Sequence, residues 1–148
     1  MSHDYWCADC YVLVNSRDPS IAYRVLKKFA SNATETCNEY HFPYLSDAPA
    51  TIFPDAASLM DFMETARDQE YAIYWQNNDP QSRTSGVSVH YTVDNAMILS
   101  VHCSGSDAPE LLTRLLDVAG SSCGYFTLES PPPITVAEFQ AIARSSRS

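Results

Sequence analysis

Apolar and polar residues alternate along this chain in two rhythms, and the changes of rhythm mark its elements. Between Tyr71 and Cys103 lie three runs rich in β-branched and aromatic residues. They are Tyr71-Ala-Ile-Tyr-Trp-Gln, Gly86-Val-Ser-Val-His-Tyr-Thr-Val and Ala96-Met-Ile-Leu-Ser-Val-His-Cys. Such side chains suit a pleated, half-buried surface, so each run predicts a strand. Asp94-Asn95 separates the second run from the third, and both residues tolerate the positive φ of a type I′ hairpin loop. The three runs therefore read as an antiparallel meander at the centre of a sheet. With residues 94 and 95 as the loop, Val93 faces Ala96, Tyr91 faces Ile98, Val89 faces Ser100 and Val87 faces His102. Alternation along the strands then sends His90 and His102 to opposite faces.

The helical period recurs elsewhere. Asp18-Pro19 has the form of a helix start, and Ile21, Ala22, Val25, Leu26, Phe29 and Ala30 follow at helical spacing to about Ser31. A second helix starts at Pro54-Asp55 and carries Leu59, Met60, Phe62, Met63 and Ala66. A third follows the capping box Asp107-Ala-Pro-Glu110, carries Leu111, Leu112, Leu115 and Leu116, and stops at Gly120. Thr135-Val-Ala-Glu138, a second capping box, opens a short last helix beyond Pro131-Pro-Pro133, with the tail from about Arg144 expected to fray. Asp9–Asn15 and Tyr125–Leu128 read as strands, and Thr51–Phe53 as a short edge strand. Residues 32–48 form a polar connection whose aromatic cluster, Tyr40-His-Phe-Pro-Tyr44, is expected to pin it to the core. The order β-α-β-α-β-β-β-α-β-α predicts one α+β domain over residues 1–148. Its sheet is mostly antiparallel around the meander, with helices mainly on one face.

Composition narrows the function. The chain has 148 residues and a formal charge of −9, from 18 acidic against 9 basic side chains. Phosphate backbones and anionic membranes repel such a surface, whereas a basic protein is attracted to it. Nucleic-acid and membrane binding are therefore not expected, although acidity also serves solubility alone. No apolar run reaches membrane-span length, and the N-terminus Met1-Ser-His-Asp-Tyr-Trp lacks the features of a secretion signal, so the expected compartment is the cytoplasm. Five irregularly spaced cysteines fit reduced thiols better than a disulfide framework.

Candidate chemistry is sparse. Cys7-Ala-Asp-Cys10 has the C-x-x-C form, with Cys37 and His41 as the nearest partners for zinc. The intervals are irregular, however, and a strand rather than a helix follows Cys10. Neither metal nor cofactor is expected. No serine lies in a G-x-S-x-G elbow, and four glycines leave no phosphate-cradling loop. Asp61, Glu64 and Asp68 are spaced three and then four residues apart, which places them along one helical stripe. Such stripes are usually solvated faces. With Tyr74 and Trp75 nearby in sequence, this one is a candidate docking surface for a basic partner, its charges steering and its aromatics anchoring.

Three stretches carry a family resemblance: Tyr11-Val-Leu-Val-Asn-Ser-Arg17, running into a helix; Tyr71-Ala-Ile-Tyr-Trp-Gln-Asn-Asn78, leading to Val89-His-Tyr-Thr-Val-Asp94; and Gly124-Tyr-Phe-Thr-Leu-Glu-Ser-Pro-Pro-Pro133 before the last helix. Together they resemble the small cytoplasmic immunity proteins encoded beside bacterial polymorphic toxins. The resemblance implies a non-enzymatic inhibitor that binds and occludes one cognate toxin. The alternative class is a small enzyme with an atypical site in the 40–44 loop or around His90.

Overall fold

The computed structural model describes residues 6–128 and 130–146. His3, the rest of the first five residues and the last two of the tail lie outside the described residues. The elements are β1 (Cys7–Val14), α1 (Pro19–Phe29), β2 (Ala33–Glu35), β3 (Tyr40–Phe42), β4 (Thr51–Phe53), α2 (Ala56–Met63), β5 (Tyr71–Asn77), β6 (Thr84–Tyr91), β7 (Met97–Ser104), α3 (Ala108–Ala119), β8 (Gly124–Thr127) and α4 (Val136–Ser145). This is the α+β architecture expected. A six-stranded sheet runs in the order β2-β5-β6-β7-β1-β8, and all its pairings are antiparallel. The polar connection holds two strands not foreseen. β2 extends the main sheet, and β3 pairs with β4 in a separate two-stranded sheet, so β4 is not an edge of the main one.

The ends of the helices follow local chemistry. The Asp18 and Asp55 side chains accept the Ser20 and Ser58 amides at the starts of α1 and α2. Thr135 Oγ1 accepts from Glu138 N at 3.3 Å at the start of α4. Gly120 ends α3 in the left-handed region at φ 67°. Asp107 differs from the expected box, because its side chain makes no cap hydrogen bond. Its carboxylate instead accepts from Ser104 Oγ at 3.0 Å and Arg83 Nη1 at 3.4 Å. α4 runs from Val136 through Ser145.

The central hairpin corrects the expected register. The Thr92 amide donates to Ala96 O at 3.0 Å, and the Ala96 amide donates to Thr92 Oγ1 at 2.9 Å. Thr92 and Ala96 thus close a loop of Val93, Asp94 and Asn95, in which Asn95 takes φ 77°. A third loop residue shifts the pairing by one. Tyr91 now faces Met97, His90 faces Ile98, Val89 faces Leu99, Ser88 faces Ser100 and Val87 faces Val101. The slip gathers Val87, Val89, Tyr91, Met97, Leu99 and Val101 on one face, all of them buried. Burying six apolar side chains together is the stronger constraint, and the hydroxyl of Thr92 makes the matching loop.

On that face α1, α2 and α3 supply Val25, Phe29, Leu59, Met60, Leu111 and Leu115 to the main core. α4 crosses to the other face, where Phe139 and Ala143 cover Tyr11, Leu13, Ile98 and Tyr125. Arg17 ties the layers together. It is only 4% exposed. Its Nη1 donates to Met63 O at 2.9 Å and Ala66 O at 2.7 Å, and its Nη2 to Gln69 O at 2.9 Å and to Thr92 O. Its guanidinium lies 5.0 Å from the centre of the Tyr91 ring. One planar cation therefore caps the frayed end of α2 and holds it to the hairpin.

Candidate functional site: the open face of the sheet

α4 covers only one end of the second sheet face. Strand alternation brings Asp9, Tyr74, Gln76, Ser88, Ser100 and His102 to the remainder, where they line a cleft of about 340 Å³. Each position follows from the register. Asp9 pairs with His102 across β1 and β7, Ser88 with Ser100 across β6 and β7, and Tyr74 with Ser88 across β5 and β6.

Two hydrogen-bonded pairs occupy this face. His102 Nδ1 donates to Asp9 Oδ1 at 2.9 Å. That bond, opposed by partial burial and reinforced by the carboxylate's charge, pushes the His102 pKa up to about 9. His102 therefore carries a proton at neutral pH. A second bond joins Ser88 Oγ to His90 Nε2 at 2.9 Å. The His90 ring meets Tyr74 and Tyr11 edge-on, at centroid distances of 5.6 and 6.2 Å. Desolvation pushes the His90 pKa down to about 4, against a smaller upward pull from Asp9. One histidine is thus an imidazolium and the other a neutral ring on the same face. The expectation that the two point apart is overturned by the one-residue shift in register.

The five residues singled out as a docking surface do not lie together. Trp75 points into the main core and is 7% exposed, whereas Tyr74, its neighbour on β5, is 47% exposed on the open face. Adjacent strand residues face opposite ways, so the pair cannot act as one anchor. Asp61, Glu64 and Asp68 are all exposed, but α2 ends at Met63 with Glu64 as its C-cap. Asp61 is thus on the helix, Glu64 at its end and Asp68 in the turn beyond. They belong to the helical side of the sheet, where Asp68 and Glu64 act electrostatically on Arg17 and Tyr91. A strict helical stripe is therefore absent.

The 40–44 segment is anchored by its aromatics, as expected. Tyr40 is buried and donates to Glu35 Oε1 at 2.9 Å, Tyr71 donates to His41 O at 2.8 Å, and the Phe42 ring meets that of Phe62 edge to face. Cys7 and Cys10, three apart on β1, point to opposite faces. Cys10 lies in the core, and its Sγ donates to Ala108 O at 3.4 Å. Its thiol is pushed far up by a hydrogen bond with Cys103 and by burial. Among the described residues no group of three or more His, Cys, Asp or Glu side chains could hold a metal ion, and no helix is long and apolar enough to cross a membrane.

Sequence reasoning placed an alternative site around His90 but missed Asp9 and His102 as a pair on the same face. The available signal was the fully apolar set Val87, Val89, Tyr91, Met97, Leu99 and Val101, which a three-residue loop brings to one face. No family model, curated protein or solved structure matches the chain.

Proposed function

We propose that this protein is an immunity-type inhibitor that binds and occludes a cognate bacterial toxin, and that the toxin docks on the open face of the sheet. The observation that carries this reading is the exposed Tyr74 at the cleft, set among His90, Ser88 and His102 on strands buried from behind. An aromatic on a rigid base orders at little entropic cost and can anchor a partner. The −9 charge favours a basic partner and speeds its encounter. The family resemblance of the sequence points the same way.

The test is co-purification with the product of the adjacent toxin gene, together with protection of cells expressing it. Tyr74→Ala should weaken binding by about 2 kcal/mol, mostly through faster dissociation, with an unchanged melting temperature. Trp75→Ala should instead lower the melting temperature, because it opens a cavity in the core. Wild-type affinity in Tyr74→Ala would remove the open face from the interface.

A small enzyme acting at the same cleft is the second reading, favoured by the Ser88–His90 contact at 2.9 Å. A neutral imidazole against a hydroxyl can accept its proton. If protection needs this chemistry, Ser88→Ala and His90→Gln should each abolish it while toxin binding and folded stability stay intact. Under the docking reading, Ser88→Ala protects as the wild type does.

A further inference from the structure

Tyr74 also lines a second cleft, of about 250 Å³. Pockets for drug-sized molecules start at roughly 300 Å³, so this one suits a single side chain better than a cofactor. Its walls are mainly apolar and include Tyr40, Tyr44 and Tyr71. Two of these rings are held by their hydroxyls. Tyr71 donates to His41 O at 2.8 Å, and Tyr40 to Glu35 Oε1, which also accepts the Ala56 amide at 2.8 Å. Tyr44 rests on Tyr71, with ring centroids 4.5 Å apart and planes inclined at 45°. Leu45 follows, at φ 61° and 80% exposed. A large apolar side chain is thus left in water at the cleft, in a backbone conformation that a Cβ disfavours. Glu39 brings a carboxylate to the lining. Its side chain is 56% exposed, and His41 Nε2 meets one of its oxygens, Oε1, at 3.1 Å.

We infer that this cleft seats an arginine side chain of the basic partner, its guanidinium against Tyr44 and Tyr74 and beside the Glu39 carboxylate. The inference rests on the docking reading for the source of the arginine, whereas the preference for a guanidinium rests on the lining alone. Aromatic faces attract cations, and a guanidinium, planar and weakly hydrated, stacks on them better than an ammonium does. Its methylene stem is apolar and gains by covering Leu45, which otherwise faces water. The second Glu39 oxygen can accept from the guanidinium while His41 keeps the first. The −9 charge of the chain favours a basic occupant over an anionic one. Because Tyr74 lines both clefts, an arginine held here lies next to the surface assigned to docking.

The test titrates the full-length protein, with no toxin present, with N-acetylarginine amide near neutral pH and follows the tyrosine ring resonances by NMR. The citrulline counterpart, neutral and nearly the same shape, is the control. Tyr44 and Tyr74 signals should shift saturably with the arginine probe, and citrulline should bind about tenfold more weakly. Glu39→Gln should weaken the probe about threefold, the size of an exposed charge contact. Tyr44→Leu should weaken it about tenfold, while Tyr44→Phe, which keeps the ring, binds as the wild type does. An unchanged melting temperature shows that a variant keeps the segment in place. If Tyr44→Leu loosens it, the decision rests on Glu39→Gln, at an exposed position. Absence of a saturable shift at Tyr44 and Tyr74 would overturn the inference, as would equal binding of citrulline or full probe affinity in Glu39→Gln. A toxin that fails to co-purify would remove the docking reading and the source of the arginine, while saturable probe binding would still establish the guanidinium site. A toxin bound by a protein whose cleft ignores the probe would do the reverse.

Discussion

Arg17 does the work of several caps with one side chain. Carbonyls of residues 63, 66, 69 and 92 all accept from it, and no single ammonium reproduces that fork. Arg17→Lys should therefore destabilise the fold by roughly 3 kcal/mol, because buried acceptors lose their donors; chemical denaturation measures this. The two open-face histidines should titrate in opposite directions from about 6.5. For His102 the folded value, about 9, lies above the unfolded one. Its contribution to stability is complete below pH 6.5 and is lost as pH rises through 9. For His90 the folded value, about 4, lies below the unfolded one. Protons then favour the unfolded chain, and stability falls as pH drops from 6.5 towards 4. Imidazole proton resonances followed by NMR should give both midpoints, with Asp9→Asn returning that of His102 towards 6.5.

Caps and periodicity made most elements legible in the sequence. Asp18, Asp55, Thr135 and Gly120 each stand at the helix end they mark, and the three strands of the meander lie where their β-branched runs place them. Register was not legible, because Asp94-Asn95 is a good two-residue loop by composition, and only the Thr92 hydroxyl, bonded to the Ala96 amide, makes the third loop residue favourable. The candidate site inherits that limit, since the histidines change company with the register. α2 ended early at Met63, whose carbonyl, needed for another turn of helix, accepts from Arg17 instead. Close packing governs β8 as well. A Cβ on Gly124 would stand 2.8 Å from Tyr11 O, with Val12 and Leu116 side chains at 3.0 and 3.1 Å. Gly124→Ala should thus cost about 1–3 kcal/mol by forcing β8 off β1, read as a fall in melting temperature.

At the scale of the whole molecule, charge and shape have separate roles. Asp61, Glu64 and Asp68 sit on the helical side, away from Tyr74, so one partner surface does not bridge both directly. Under the proposed docking, their part would be long-range attraction, which fades within a Debye length of about 8 Å at physiological salt. Replacing all three with lysine should slow association with a basic toxin and flatten its dependence on salt, leaving dissociation nearly unchanged. Surface plasmon resonance at two salt concentrations separates these effects. An association rate identical to the wild type would reduce the three acids to solvated surface groups.

The loop of Val93, Asp94 and Asn95 also sets a parity for everything downstream. Side chains alternate with a period of two, so a slip of one residue in the pairing, as closure of a two-residue loop at Asp94-Asn95 would bring, exchanges the faces of β7 relative to β6. Met97, Leu99 and Val101 would then surface in the cleft while Ile98, Ser100 and His102 turned towards α1 and α3. A residue added within the loop, with the closure between Thr92 and Ala96 kept, would leave every pairing intact. Among related sequences, length changes confined to this turn should therefore leave both faces unchanged, whereas a single residue gained or lost within β6 or β7 should arrive with a bulge, of the kind that already sits between Thr84 and Gly86.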